Sequence, residues 1–393
     1  MNPRCLQVQE SITIKIADLA RERERRGGRI IKLQTGDPDF ATPESIIAAA
    51  FKAMQAGYTH YAGSRGLPEL RQRLALKLED QNGVSYDPDT EILVTHGAAQ
   101  AIFITLQTLL APGDEVLLIE PYYMSYASSI ILAGGVPRGV ETDPRQDFAL
   151  DLDRVQAAIT PSTRMLVLNS PCNPSGIVLT KEEMEGLARI AAEHDLYVLC
   201  DDVYEKLLYD GAGHTTMATL PGMRARTITI NSLSKTYAMT GWRLGYLAAP
   251  PDKVSQMLKV LQYSATNITP FSQMAAVTAL TDPELPAFVE TMRRTYDRRR
   301  LAGMEAVGAN RGLRTIRPRG AFYLMLDISS FCRDSVEFAY RLLEKAQVAV
   351  VPGVAFGKSA EGWIRLTFAV PEETLVAGIH RIGEFARAEY RRV

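Results

Sequence analysis

The middle of the chain repeats one pattern of hydrophobic and polar positions. A short run rich in β-branched residues is followed by a loop of small or polar residues, and then by a stretch with helical periodicity such as 98–110 or 181–194. Alternating strands and helices predict a largely parallel sheet with helices on both faces. The predicted strands are 92–95, 115–119, 164–169, 196–200 and 226–231.

Residues suited to binding or chemistry follow each predicted strand. Ligands of open α/β sheets bind beyond the carboxyl ends of the strands, so these loops are expected to converge on one site. In chain order the loops are His96-Gly97-Ala98-Ala99, Pro121-Tyr122-Tyr123, SPCNPSG (170–176), DDVYE (201–205) and SLSKTYAMTGWR (232–243).

Lys235 lies in the hydroxyl-rich loop after the fifth strand. A free lysine with a pKa of about 10.4 is neutral in only about one molecule in 2,500 at pH 7. It becomes a nucleophile when it is desolvated or bound to a carbonyl cofactor. A lone lysine is usually a solvated surface residue. Here Ser232, Ser234 and Arg243 lie beside it in sequence, and hydroxyl and guanidinium groups bind phosphate.

Gly97-Ala98-Ala99 begins a predicted helix directly after a strand. Small side chains let backbone N–H groups approach an anion, and the helix N-terminus favours negative charge. Small residues at a helix start more often serve packing alone. The sequence has no G-x-x-x-x-G-K-[ST] motif and no G-x-G-x-x-G after the first strand, so nucleotide binding lacks its main support.

Asp201 follows the strand LYVLC, which is apolar at nearly every position and therefore predicted to be buried. A carboxylate at such a strand end needs a cationic partner. The sequence allows two cationic partners for Asp201, which are a nearby arginine and the protonated ring nitrogen of a cofactor. An opposite charge within about 4–6 Å would keep either ion pair charged.

The composition of the chain excludes several classes of partner and indicates where the protein is located. The chain of 393 residues has 44 Lys plus Arg and 45 Asp plus Glu, so its net charge of −1 argues against nucleic acid or an anionic membrane as a partner. No run of about 20 apolar residues predicts a membrane span, and the N-terminus has no apolar signal-peptide core. The four cysteines form no C-x-x-C pair, so we expect no metal site and a cytoplasmic protein.

A Schiff-base lysine, a phosphate-binding loop and an aspartate for a ring nitrogen together indicate pyridoxal 5′-phosphate. The sequence resembles the fold-type I, class I/II pyridoxal-phosphate aminotransferases over nearly its whole length, and most resembles the bacterial aspartate-, prephenate- and alanine-type branch. The matching motifs are LQTGDPDFATP (33–43), YTHYAGSRGLPELR (58–71), NSPCNPSG (169–176), CDDVYEKLLY (200–209), SLSKTYAMTGWRLGY (232–246) and WIRLTFA (363–369).

This resemblance implies a fold and an assembly. The expected fold is α/β, with a large domain at 46–285 built on a mostly parallel seven-stranded sheet covered by helices. A smaller α+β domain is expected from 1–45 and 286–393. The resemblance also implies a homodimer, in which Tyr61 reaches the cofactor phosphate of the neighbouring subunit.

The resemblance also implies roles for residues around the cofactor. Lys235 would bind its aldehyde as a Schiff base and move a proton, Asp201 would pair with the pyridine nitrogen, and the ring would stack on Tyr123. Tyr204 and Asn173 would bond its phenolic oxygen. The phosphate would be bound by Ala98, Ala99, Ser232 and Arg243.

For the substrate, the resemblance implies that Arg365 binds the α-carboxylate, with Asn173 and the Gly36 backbone close by. Aspartate-type members often carry a lysine where this chain has Ala99, which weakens an aspartate assignment. Without the resemblance, Arg365 would be taken for an edge-strand residue facing water.

Three further residues have open roles. Cys172 stands where relatives usually have Asn or His, and we interpret it as a small buried thiol. Tyr58 and His60 lie close to the expected site in sequence. A histidine in such a place is more often packed and hydrogen-bonded than in contact with substrate.

The predicted activity is transfer of an amino group from an L-amino acid to a 2-oxo acid with ping-pong kinetics. The same residues would serve a β- or γ-eliminating lyase or a cyclase, which is the first alternative. The second is a regulatory protein without turnover. Only about 30 residues of this sequence precede the motif at 33–43, so we do not expect an N-terminal DNA-binding domain of the kind that such regulators usually carry.

Overall fold

The computed structural model describes residues 1–8 and 10–390. The described residues form the strands β1 Ile31–Lys32, β2 Ile92–Thr95, β3 Glu115–Ile119, β4 Val136–Val140, β5 Thr163–Asn169, β6 Tyr197–Asp201, β7 Thr227–Ser232, β8 Gly245–Ala248, β9 Arg314–Thr315, β10 Tyr323–Asp327, β11 Val348–Ala349, β12 Val351–Pro352 and β13 Trp363–Thr367. They form the helices α1 Pro3–Gln7, α2 Ile12–Arg25, α3 Glu44–Gln55, α4 Pro68–Asn82, α5 Gly97–Leu109, α6 Ser125–Ala133, α7 Leu152–Ala157, α8 Lys181–Glu193, α9 Leu233–Thr236, α10 Pro251–Ala265, α11 Pro270–Thr281, α12 Leu285–Gly308, α13 Ser335–Arg341 and α14 Glu372–Glu389.

Local sequence signals fix several helix ends. At the start of α8, Thr180 Oγ1 accepts from the Glu183 amide at 3.2 Å, and the Glu183 carboxylate accepts from the Thr180 amide at 2.7 Å. This reciprocal pair satisfies two backbone donors that the helix itself leaves free. After α2, Gly27 adopts a φ of +90°, and the Gly28 amide donates to the Arg23 carbonyl. Glycine takes this left-handed conformation without strain, so it ends the helix where the charge cluster ends.

The largest sheet has seven strands in the order β2-β8-β7-β6-β5-β3-β4. β8 runs antiparallel to both of its neighbours, and the other adjacent strands run parallel to each other. All residues of β2, β7 and β8 are buried, and this burial explains the apolar runs of β2 and β8, whereas β7 alternates threonine with isoleucine. The predicted α/β fold with a mostly parallel seven-stranded sheet is confirmed.

The carboxyl ends of five strands meet at one edge of this sheet. β2 and β7 both pair antiparallel with β8, so they point the same way, and β3, β5 and β6 share that direction. The polar loops that follow these strands therefore lie on the same side of the sheet.

A second sheet is antiparallel and has the order β12-β13-β10-β9. Its core is shared with α2, α12 and α14, so both ends of the described chain pack together. The proposed division into 46–285 and the two flanking segments stays a prediction. Residue 46 lies two positions inside α3, and residue 285 is the first residue of α12.

Eight of the 24 residues of the long helix α12 are charged. Arg300 is fully buried within it and pairs with Asp210 at 2.8 Å and with Asp297 at 2.7 Å. Two carboxylates thus compensate one buried guanidinium, as a charge inside a protein requires. No helix in the described part of the chain combines the length and the apolar character needed to cross a membrane.

Candidate active site

A cavity of about 390 Å³ lies at the carboxyl ends of the strands and is lined by residues of both sheets. Eleven of the twelve site residues predicted from the sequence line it, and Tyr61 does not. The eleven are Gly36, Ala98, Ala99, Tyr123, Asn173, Asp201, Tyr204, Ser232, Lys235, Arg243 and Arg365.

Lys235 lies on the short helix α9, directly after β7. Its Nζ donates to the Gly36 carbonyl at 2.6 Å. Burial lowers the pKa of the Lys235 amine to about 8. At pH 7 the amine is then neutral in about one molecule in ten, which makes it a usable nucleophile and base.

Asp201 is the last residue of β6 and is only 4% exposed. Its Oδ2 accepts from the Tyr126 hydroxyl at 2.6 Å, and its Oδ1 is 3.4 Å from the Val203 amide. Burial raises the pKa of Asp201 to about 6, against the opposing effect of the Tyr126 hydrogen bond. No cationic side chain of the described residues pairs with this carboxylate, so the arginine partner considered from the sequence is wrong.

Arg365 lies on β13, an inner strand between β12 and β10, and is 3% exposed. Its Nη1 donates to Asn173 Oδ1 at 2.9 Å and its Nη2 to the Gln34 carbonyl at 2.6 Å, while Nε has no hydrogen-bond partner. Burial lowers its pKa. Among the described residues no carboxylate pairs with Arg365, so a buried positive charge faces the cavity. The interpretation as a solvent-facing edge-strand arginine is wrong.

An anion cradle lies at the start of α5. Gly97 has a φ of +71°, and a Cβ added there would lie 2.6 Å from Arg243 Nη2, so only glycine lets the guanidinium pack against the helix start. The Ser232 and Ser234 hydroxyls are 2.7 Å apart, and both residues line the same cavity. A helix N-terminus, two hydroxyls and a guanidinium are together suited to a phosphate group.

A buried ion pair supports this cradle from behind. Glu205, from the DDVYE loop, does not line the cavity and pairs with Lys77. Burial alone would raise the pKa of Glu205, but the charge of Lys77 and further contacts lower it to about 2. Asn231 Nδ2 donates to Glu205 at 2.9 Å, and Asn231 Oδ1 accepts from the Ser232 amide at 2.7 Å. The ion pair thereby fixes the end of β7 that presents Ser232.

The structure adds cavity residues that the sequence reasoning missed. Tyr323 from β10 lines the cavity, and Tyr126 from α6 reaches Asp201. Ser11 and Thr13, at the start of α2, place hydroxyls 3.4 and 3.3 Å from Met124 Sδ. Of these residues, only Tyr126 lies close in sequence to a predicted site residue, since it follows Tyr123 in the segment PYYMSY (121–126). Ser11, Thr13 and Tyr323 come from distant parts of the chain.

Four residues considered from the sequence lie outside this cavity. Tyr61 is 87% exposed, and His60 is also exposed, so His60 is not packed in a core. Tyr58 is partly buried. The Cys172 thiol lies 3.4 Å from the Pro121 carbonyl beside a separate cavity of about 50 Å³, and burial raises its pKa. This environment fits a packed thiol.

Comparisons with known proteins identify the family. The family model for aminotransferases of class I and II matches residues 28–382. The chain is 45% identical to an aspartate aminotransferase of Pyrococcus abyssi, over 91% of this chain and 92% of that protein. It is 43% identical to the aromatic-amino-acid aminotransferase 2 of Thermococcus litoralis, over 97% of both.

A solved structure of similar fold is the aspartate aminotransferase from Thermus thermophilus with maleate. It superposes with a TM-score of 0.93 at 43% identity, covering 98% of this chain and 99% of that one. These relatives do not favour the lyase or cyclase alternative, and they confirm the predicted activity class. The chain therefore belongs to the class I and II aminotransferases and is itself an aminotransferase.

Proposed function

We propose that this aminotransferase binds pyridoxal 5′-phosphate in the cavity, covalently through Lys235, and transfers amino groups from L-amino acids to 2-oxo acids. One observation carries the proposal: a buried amine of lowered pKa, an uncompensated carboxylate and an anion cradle line the same cavity. The aldehyde, the ring nitrogen and the phosphate of the cofactor match these three groups in turn.

The chemistry of the lining residues supports this fit. Among the described residues, Asp201 forms no ion pair with a cation and Arg365 forms none with an anion, although both are buried. A buried charge without a partner is unfavourable, so both positions favour a ligand that supplies the missing charge. A protonated ring nitrogen would supply it at Asp201, and a substrate carboxylate would supply it at Arg365.

When bound, pyridoxal 5′-phosphate withdraws electrons from the α-carbon of the amino acid. Arg365 grips the α-carboxylate with its two-pronged guanidinium and thereby sets which bond on that carbon is broken. Lys235 Nζ would take the α-proton of the amino acid and deliver it to the aldehyde carbon of the cofactor, and the pKa of about 8 of the Lys235 amine suits both directions near neutral pH. Because the oxo acid product leaves before the second substrate binds, we expect ping-pong kinetics.

The remaining predicted residues hold and tune the cofactor. Asp201 would keep the ring nitrogen protonated, Tyr204 and Asn173 would donate to the phenolic oxygen, and Tyr123 would cover the ring face. The backbone of Ala98 and Ala99, with Ser232 and Arg243, would bind the phosphate. Gly36 would lie beside the substrate, since its carbonyl already contacts the Lys235 amine.

We also propose a homodimer with active sites shared between subunits. Tyr61, Phe51 and Tyr263 are 87%, 59% and 95% exposed, and exposed aromatic side chains of this size often mark an interface. Tyr61 would reach the phosphate of the partner subunit. Sedimentation of the holoenzyme at twice the chain mass of 43.4 kDa supports this assembly, and a fully active monomer contradicts it.

The cysteines support a reducing compartment. Cys5, Cys172, Cys200 and Cys332 are all free thiols. Disulfides persist mainly in oxidising compartments, so four unpaired thiols are typical of the cytoplasm, and we propose that location. Recovery of the native protein in the membrane or secreted fraction of its own cells would contradict it.

The cavity wall favours an apolar or aromatic substrate side chain. Ile14, Ala99, Ile102 and Met124 line it, and the three lysine and arginine side chains among the lining residues are already assigned to the cofactor and the α-carboxylate. A second carboxylate would therefore meet no further lysine or arginine among the described residues that line the cavity. The aromatic-amino-acid aminotransferase of Thermococcus litoralis among the relatives is in line with this specificity.

Replacing Ala99 with lysine tests this specificity. The variant should raise kcat/KM for aspartate relative to phenylalanine by about ten-fold, because one charge-assisted hydrogen bond adds roughly 1.5 kcal/mol to binding. Ala99→Met is the matched control, since it adds similar length without charge and should not favour aspartate. A wild-type enzyme that already prefers aspartate to phenylalanine would contradict the proposal.

Reduction of the holoenzyme with borohydride tests the cofactor itself. The reagent should fix pyridoxal phosphate to one peptide, which mass spectrometry would identify as the peptide containing Lys235. Lys77 is a built-in control because it is equally buried but is bound to Glu205 as an ion pair. Labelling of another lysine, or no labelling, would remove the proposed cofactor site.

A further inference from the structure

Tyr323 contacts both Tyr204, which is assigned to the cofactor, and Arg365, which is assigned to the substrate. It belongs to β10, lines the cavity and is 1% exposed. Its hydroxyl is 2.8 Å from the hydroxyl of Tyr204. Its ring centroid is 4.5 Å from the Arg365 guanidinium, within the range of a cation–π contact. The two contacts use different parts of the side chain.

The position of the Tyr323 hydroxyl is closely restricted. A Cβ added to Gly36 would collide with that hydroxyl, so the absence of a side chain at position 36 leaves the space it occupies. Within the described part of the chain, the Tyr204 hydroxyl is its one hydrogen-bond partner. The pair is buried, where a hydrogen bond is stronger than in water.

The number of protons sets the direction of this bond. A phenol carries a single proton and therefore donates one hydrogen bond. If Tyr204 donates that proton to the phenolic oxygen of pyridoxal phosphate, it can only accept from Tyr323. A hydroxyl that accepts a hydrogen bond becomes a stronger donor, by about 10–30% in condensed-phase estimates.

We propose that Tyr323 is a positioning residue whose hydroxyl donates to Tyr204 and strengthens the hydrogen bond that Tyr204 gives to the cofactor. This inference rests on the proposed binding of pyridoxal phosphate in the cavity. The Tyr323 ring separately braces Arg365, so one side chain supports both the cofactor contact and the carboxylate contact. Nothing in the local sequence around 323 predicts this, because β10 and Tyr204 are more than a hundred residues apart.

A spectroscopic titration of the holoenzyme tests the proposal. Tyr204 stabilises negative charge on the phenolic oxygen, and that charge is largest after the bound cofactor loses its proton. Tyr323→Phe weakens this stabilisation, so the pH midpoint of the visible absorption band should rise by about 0.3 unit. Tyr204→Phe should raise it by about one unit, and adding Tyr323→Phe to that variant should cause no further shift.

Tyr209→Phe is the matched control. The Tyr209 hydroxyl is also buried and donates to the Ala321 carbonyl at 2.6 Å, but it does not line the cavity. This control should leave the midpoint unchanged. Tyr323→Phe should also leave KM for the amino acid within about two-fold, because phenylalanine keeps the ring beside Arg365.

The outcomes separate this inference from the proposed function. A wild-type protein without the absorption band overturns the cofactor assignment itself. A normal band whose midpoint does not move in Tyr323→Phe overturns the role of Tyr323 alone. An equal shift in the wild-type and Tyr204→Phe backgrounds also overturns it, because the effect would then not pass through Tyr204.

Discussion

Replacing Lys235 with alanine is expected to lower the rate of transamination by at least about 10⁴-fold. A positioned acid–base group contributes about 10²–10⁴-fold, and this variant also removes the covalent attachment of the cofactor. The Lys235 amine is poised for proton transfer because burial lowers its pKa to about 8 and the Gly36 carbonyl fixes it at 2.6 Å. Single-turnover measurement of oxo acid formation from one amino acid would report this loss.

Two further measurements make the result specific. A small amine added to Lys235→Ala should restore part of the rate, because it can occupy the vacated space and carry the proton. Lys206→Ala is the control, since Lys206 neighbours the buried Glu205 but does not line the cavity, and its rate should stay within about two-fold. A Lys235→Ala variant with more than a tenth of wild-type activity would contradict the assigned role.

Five strands of the large sheet could be predicted because their local sequence is typical of a buried strand. The predicted runs at 92–95 and 115–119 coincide with β2 and β3, and the other three lie within one residue of β5, β6 and β7 at each end. These strands are largely buried, so short runs of apolar and β-branched residues mark them in the sequence. Loops that follow parallel strands converge at the carboxyl edge of the sheet, so the sequence alone predicts that Lys235 and Asp201 share one site.

The antiparallel contributions to the site were not predictable in the same way. Tyr323 and Arg365 reach the cavity because β10 and β13 pair in a separate sheet, and nothing local fixes how that sheet packs against the first. Arg365 could be assigned through a motif, but Tyr323 carried no such signal. A tyrosine in an apolar strand is predicted to be a core residue, and only the structure places its hydroxyl beside that of Tyr204.

The partner of Asp201 shows the limit of reasoning from one strand. Sequence alone leaves an arginine or a cofactor nitrogen open, because both satisfy a buried carboxylate. The structure instead gives Tyr126, a neutral donor from α6, and no ion pair with Asp201 among the described residues, while the charge of Lys235 acts only as a smaller effect that lowers the Asp201 pKa. A neutral donor keeps the carboxylate in place without compensating its charge, which leaves the charge available to a ligand.

Asp201→Asn is therefore expected to change activity and stability in opposite directions. Asparagine keeps the size of the side chain and can still accept from Tyr126, but it cannot hold a ring nitrogen protonated. We expect kcat to fall by roughly 10³-fold, comparable to the loss of one strong electrostatic contact to reacting atoms. Steady-state kinetics with saturating cofactor would measure this fall.

The stability of the cofactor-free protein should rise in the same variant. Burial raises the pKa of Asp201 from its ordinary value near 3.9 to about 6, so the unfolded state loses this proton first. Between about pH 4 and 6 the folded state is therefore progressively destabilised, and above pH 6 the full penalty of about 1–3 kcal/mol is present. Asp201→Asn removes that penalty, so urea unfolding at pH 7.5 should need more denaturant, while at pH 4 the two proteins should differ little.

Asp202→Asn separates this effect from the loss of any buried carboxylate. Asp202 is equally buried but faces His214 at 3.5 Å instead of the cavity. Its removal leaves His214 without its carboxylate, so this control should lose stability and keep kcat within a few-fold. If Asp201→Asn were destabilised to the same extent, the charge at 201 would be compensated within the protein. The Asp201 carboxylate would then not be available to pair with a cationic ligand.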